Sequence, residues 1–92
     1  MNYCEKIKKS MIEGDDDSVV KYIKKSLLVG YNPKYILKNI LMDALTLIAK
    51  KEEKNECLIP EVLLAINSFK SGYKIIEPYL KEKDKDYDIV IV

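Results

Sequence analysis

The sequence contains no histidine and no tryptophan. Without an imidazole it has neither the usual acid–base group at neutral pH nor the commonest metal ligand. Arginine is absent as well, since all sixteen basic residues are lysine. The bidentate fork that reads guanine edges and phosphates is therefore missing, and a formal net charge of +1 supplies no compensating positive field. Nucleic acid is not expected as a partner. The two cysteines, Cys4 and Cys57, lie in distant parts of the chain, too far apart in sequence for a close-spaced zinc or redox motif. Both thiols are expected to be reduced in a cytoplasmic protein. No apolar run approaches the roughly 20 residues that span a bilayer, and residues 1–10 are already charged and helical in pattern, unlike a signal peptide.

What is present fits one small soluble domain. Hydrophobic residues at 48% beside 34% charged residues argue against general disorder. A chain of 92 residues buries roughly 60–65% of its unfolded surface, enough for a modest core but not for a deep cleft. Of the three glycines and three prolines, Gly14, Gly30, Pro33, Pro60 and Pro78 read as helix starts and stops.

Tyr3, Cys4, Ile7, Met11 and Ile12 recur at helical spacing and predict a first helix ending near Gly14. Asp15, Asp16 and Asp17 then start a second, where negative charge suits unpaired amides. A calcium loop would need further oxygen ligands at alternating positions and a closing glutamate, which are missing. This second helix is expected to run to about Val29 and to bury Val19, Val20, Ile23 and Leu27. Gly30 fits the left-handed position that ends a helix. Asn32 and Pro33 then form a cap and a first helical residue. The third helix carries Ile36, Leu37, Ile40, Leu41, Ala44, Leu45, Leu47 and Ile48, a stripe wide enough for a central position. After a charged connection, Pro60 opens the fourth, with Val62, Ile66, Phe69, Tyr73, Ile76 and Leu80 at 4-3-4-3-4 spacing. Pro78 is expected to kink or end it.

The expected fold is an all-α, four-helix bundle over residues 1–80, with Ile40, Leu41, Ala44, Ile66, Phe69 and Tyr73 in one core. A charged linker at 81–86 and a strand-like segment at 87–92 follow. The run Ile89-Val-Ile-Val92 suits a buried parallel strand, the first of an α/β domain. By itself it is expected to add little to the fold and to favour self-association.

Gly30 to Pro33, then Ile36, Leu37, Leu41, Leu45 and Ile48, then Leu58-Ile-Pro-Glu-Val62, resemble the helical cap domain of corrinoid (cobalamin) proteins. These are the methyl-carrying subunits of methanol and methylamine methyltransferase systems and the matching, cap-like module of methionine synthase. Glu13 to Asp15 matches the family's start of helix two, and the resemblance covers about residues 1–80. It implies a cap over the upper face of a corrin ring, with a following Rossmann-like domain holding the lower face and supplying its histidine. Ile59 and Val62 correspond to ring-facing positions. Glu52 aligns with the family's covering aromatic and Ala49 with its glycine, so these two depart from the pattern. The resemblance therefore implies a non-catalytic module, cofactor-binding through Ile59, Val62 and Glu52. A corrinoid would be present in the full-length context and none bound by this chain alone. The implied partners are the Rossmann-like corrinoid domain and a methyltransferase subunit.

Readings from other classes are weighed beside it. A degenerate cap serving as a cofactor-free protein–protein interaction bundle is favoured by Ala49 and Glu52. A cobalamin-sensing regulator is disfavoured, because caps of that kind use a tryptophan and a histidine. An independent enzyme is least expected, since no nucleophile–base pair or metal site can be assembled from these residues.

Overall fold

The computed structural model describes residues 2–80; the linker expected at 81–86 and the strand-like segment expected at 87–92 lie outside the described residues. Among the described residues there are four helices: α1 (Tyr3–Ile12), α2 (Asp16–Leu28), α3 (residues 33–53) and α4 (Ile59–Ile76), the last followed by a 3₁₀ turn at Glu77–Tyr79. Pro78 lies in that turn and α4 ends before it, because proline cannot donate the next helical hydrogen bond.

The helix ends follow from single residues. Asn2 caps α1 by accepting the Glu5 amide, and Asp15 caps α2 by accepting both the amide and the hydroxyl of Ser18. Those two bonds hold the Asp15 carboxyl below its ordinary range. Asn32 accepts the Lys34 amide at 2.8 Å, with Pro33 at the first helical position. At the other ends three Schellman motifs recur. The Gly14 and Asp15 amides return to the Met11 and Ser10 carbonyls, and those of Gly30 and Tyr31 return to Leu27 and Ser26. The amides of Asn55 and Glu56 return to Glu52 and Lys51. Each motif needs one left-handed residue, supplied by Gly14 (φ 72°), Gly30 (φ 100°) and Asn55 (φ 59°).

Contacts fix the direction of each helix. Tyr3 meets Tyr22, so α1 and α2 form an antiparallel hairpin. Lys8 is ion-paired with Asp43, a bond that raises the lysine pKa and, with the Tyr3–Tyr31 ring contact, sets α1 and α3 parallel. Asp16 accepts bonds from the Ser68 and Ser71 hydroxyls while Val19 and Ile23 lie against Gly72, so α2 and α4 also run parallel. The bundle is up-down-up-down.

Residues 36–41 of α3 form a π-helix, with the Met42 amide donating to the Leu37 carbonyl five residues back. The buried positions of α3 explain it. Ile36, Ile40, Ala44 and Ile48 are all buried and stand four apart. In an α-helix each four-residue step overshoots the turn by about 40°, so three steps would drift about 120° off the core. A wider turn absorbs the drift. Asp43, just beyond that turn, is exposed and paired with Lys8.

The buried cluster joins Ile7 and Met11 of α1, Val19 and Ile23 of α2, Ile36, Leu37, Ile40, Leu41 and Ala44 of α3, and Phe69, Ile76 and Leu80. Of the six expected core residues, Ile40, Leu41, Ala44 and Phe69 are fully buried and Tyr73 packs half-buried against them. Ile66 is only half-buried. The face of α4 turned inward is Ala65, Ser68, Phe69, Gly72 and Ile76, rotated away from the expected stripe toward its smallest residues. The reason is close approach: a Cβ on Gly72 would lie 2.7 Å from Ile23 Cδ1 and 3.0 Å from Val19 Cγ1. Val20 and Leu27, expected to be buried, are likewise half-buried, and Ser26 takes the inner place with its hydroxyl donating to the Ile23 carbonyl at 2.7 Å. Leu47 is 40% exposed, outside the face that the π-turn aligns.

Candidate functional site

The first half of α4 carries more apolar surface than the core receives. Within Leu58 to Ile66 stand Leu58, Ile59, Val62, Leu63, Leu64 and Ile66, whereas Ala65 is the one fully buried residue of that stretch. At about 100° per residue, Ile59, Val62, Leu63 and Ile66 fall within one arc of about 100° on the helix surface. Ile59 is 65% exposed and Leu63 56%, while Val62 and Ile66 are half-buried. Leu58 precedes them at 68% exposure. Leu64 belongs elsewhere, against the α1–α2 turn, where its Cβ would lie 2.9 Å from a Cβ built on Gly14. The result is a continuous apolar face running from the edge of the core out to solvent.

Local sequence positions this face. Leu58 has the extended backbone (φ −87°, ψ 155°) of an N-cap residue. Pro60 costs α4 nothing in the first turn, where its missing N–H would have had no partner. The Glu61 and Val62 amides both donate to the Leu58 carbonyl, at 3.0 and 3.2 Å. Glu61 adds a negative charge where the helix dipole favours it. The connection from α3 is tied down by the Asn55 cap and by Cys57, half-buried with its thiol 3.9 Å from the Ile48 carbonyl.

Ile59 and Val62, read from the sequence as ring-facing, thus share one face of α4. Glu52 stands in the last turn of α3 with its side chain exposed, and its carbonyl accepts the Asn55 amide. Ala49 is exposed as well. The Glu52 carboxylate remains in water here, so it bears no desolvation cost in the free bundle. Sequence reasoning did not single out Leu58 and Leu63. The signal for them was an apolar density along 58–66 that one inward face of a helix cannot absorb.

Chemically this face can exclude water and cover a flat apolar surface. Among the described residues no group of three or more His, Cys, Asp or Glu side chains gathers at metal-binding distance. No described helix is long and apolar enough to cross a membrane.

The family described as "B12 binding domain" matches residues 3–77. Among solved structures, the chain is similar to the methanol:cobalamin methyltransferase complex MtaBC from Methanosarcina barkeri, at a TM-score of 0.80 and 18% identity. The match covers 87% of this chain and 31% of that one, so the chain spans about a third of the length of the protein it matches. At that identity the likeness establishes the fold. No curated protein matches the sequence.

Proposed function

The chain belongs to the B12 binding domain family, and from that premise we propose that it is the non-catalytic helical cap of a corrinoid-dependent methyl-transfer system. Its role is to shield the upper face of a methyl-corrinoid bound by a following Rossmann-like domain, which lies outside these 92 residues. A methyltransferase subunit is the partner that must displace it. The observation that carries this reading is the apolar face opened by Pro60, with Leu58, Ile59 and Leu63 each more than half exposed.

The residues present fit a cover and do not fit a lower-face holder. A corrin ring presents a broad, largely apolar face, and Ile59 and Val62, extended by Leu58 and Leu63, offer side chains of matching character. The sequence has no histidine to serve as a lower ligand. The corrinoid, when bound by its own domain, supplies the organometallic chemistry. Ile59 and Val62, with Leu58 and Leu63, exclude water from it. Swinging aside is a hinge motion, for which residues 81–86 are the proposed tether.

The test is docking in trans to a corrinoid-loaded Rossmann-like domain, followed by the corrin absorption bands. Ile59→Asp and Val62→Asp should weaken docking at least tenfold while leaving helicity unchanged. The unmodified chain should not bind free cobalamin at micromolar concentration, since it covers only one face. Tight binding of free cobalamin, or docking indifferent to both substitutions, would defeat the reading.

A second reading is favoured by one observation: Glu52 and Ala49 are exposed and depart from the family's aromatic and glycine. On that reading the same face binds a protein partner without cofactor. Glu52→Phe separates the two. It should strengthen docking to the corrinoid domain if the position faces the ring, and have no effect if the bundle has left corrinoid contact.

A further inference from the structure

At the end of the bundle remote from Ile59, the C-terminal turns of α2 and α4 lie side by side and leave an open groove of about 550 Å³ between them. Leu27 and Ile75, both half-buried, form its floor, and the exposed Leu28, Pro78 and Tyr79 stand at its edges. Leu28 is 86% exposed and Tyr79 64%, while Ile23 and Ile76, on the inner sides of the same two helices, are fully buried. A single exposed leucine is ordinary on a protein surface. Apolar side chains brought by two helices to one concavity mark a place where another chain is received.

One lysine from each helix completes the lining, Lys24 from α2 and Lys74 from α4. Both are exposed, and neither is ion-paired among the described residues. Lys21 stands one turn before Lys24 on the same side of α2. No carboxylate answers these charges nearby in sequence on α2, because residues 18–42 contain no aspartate or glutamate. Glu77, one turn after Lys74, stands with Tyr73 on another side of α4. The groove is an apolar trough with a positive charge on each bank. A trough between two parallel helices receives a third helix lying along it. The apolar stripe of such a helix meets Leu27, Leu28 and Ile75, and carboxylates on both flanks of the stripe meet Lys24 and Lys74. A bilayer surface is met instead by a convex face with its apolar residues at the summit, whereas Leu27 and Ile75 lie below the banks.

We propose that the α2–α4 groove is a docking site for an acidic amphipathic helix of a partner protein, gripped between Lys24 and Lys74 over the floor of Leu27 and Ile75. Lys24 to Leu28 covers about 6 Å of helix axis, so the contact is short and suits a reversible association. The groove and the Ile59 face lie at opposite ends of the bundle. A partner therefore holds the domain here without covering that face, and the proposal stands independently of the corrinoid reading.

The experiment follows amide NMR spectra of the full 92-residue chain during titration with a synthetic amphipathic helical peptide whose leucine stripe is flanked on both sides by glutamates. The amides of Leu27, Leu28, Ile75 and Tyr79 should move while those of Ile59 and Leu63 stay in place. The same peptide with lysine for each glutamate should bind about tenfold more weakly. Lys24→Glu/Lys74→Glu should reverse that preference, an outcome that misfolding cannot produce, and Leu28→Ser should weaken binding in either background. Groove amides indifferent to the glutamate peptide overturn the proposal, as does a preference that the charge reversal leaves unchanged. Groove shifts that appear on raising the protein concentration without peptide also overturn it, because the occupant is then a second copy. So does sedimentation with vesicles of phosphatidylserine and phosphatidylcholine that Lys24→Glu/Lys74→Glu abolishes, which makes the occupant an anionic membrane.

Discussion

Gly72 faces α2 with no room for a side chain, since a Cβ would stand 2.7 Å from Ile23 Cδ1 and 3.0 Å from Val19 Cγ1. Ile23 can move its terminal methyl, but the β-branched Val19 cannot turn easily. Gly72→Ala gains about 0.5–1 kcal/mol of helix propensity and loses about 1–3 kcal/mol to overpacking. The net expectation is a loss of about 1 kcal/mol in chemical denaturation, and a stabilised variant would show that α2 and α4 do not pack this closely. Nothing in the sequence singles this glycine out. Only its neighbour on another helix reveals that it is the contact. Asn55 is a similar case: its left-handed φ of 59° ends α3 in the way a glycine ends α1 and α2. In the sequence it is merely one polar residue in a charged connection.

At the scale of the element, α3 joins a strict four-residue repeat of buried positions to a π-turn. Removing one exposed residue within the π segment should restore an ordinary α-helix. With Asn39 deleted, Ile36, Leu41, Ala44 and Ile48 fall into 4-3-4 spacing and face the same side without a wide turn. Deleting Asn39 is therefore expected to leave unfolding cooperative and stability within about 1 kcal/mol of the parent. Deleting Thr46, exposed in the α portion of the same helix, rotates everything after it by about 100° and turns Ile48 out of the core. That deletion should cost several times more. Equal sensitivity of the two sites to denaturant would remove the π-turn from the account of α3. The existence of α3 was plain from its apolar density, but the turn that aligns it was not. Four-residue spacings occur within any amphipathic helix, and only unbroken repetition against a fixed core forces the wider turn.

For the whole molecule, apolar surface is divided between a core shared by all four helices and a face on α4 that the bundle leaves open. The two should respond differently to substitution. Phe69→Ala should cost about 3–5 kcal/mol, as expected for deletion of a buried ring. The double variant Ile59→Ser/Leu63→Ser should move the thermal midpoint by less than about 4 °C, the shift that about 1 kcal/mol produces in a domain of this size. Calorimetry on both proteins checks the contrast. A large loss from the double variant would mean that the face is structural and not available to a ligand or partner.

The sequence by itself determined the four helices, their caps and most of their ends, because those depend on residues within a turn of one another: Asp15 with Ser18, Asn32 with Pro33, Gly14 and Gly30 after the last helical turn. It also placed Ile59 and Val62 on one helix, through the proline that opens it. The tertiary structure decided how the buried sides of α2 and α4 are turned, whereas Ile7 and Met11 of α1 and most of the stripe of α3 are buried as expected. The expected stripe of α4 was drawn through its largest apolar residues. The packed helix instead turns Ala65, Ser68 and Gly72 toward α2, because close approach of two backbones favours small side chains over large ones. That rotation leaves Ile59, Val62, Leu63 and Ile66 toward the outside, where they form the candidate site. Hydrophobicity along a chain records how much apolar surface a helix carries, and only the shape of its neighbours settles how much of it is covered.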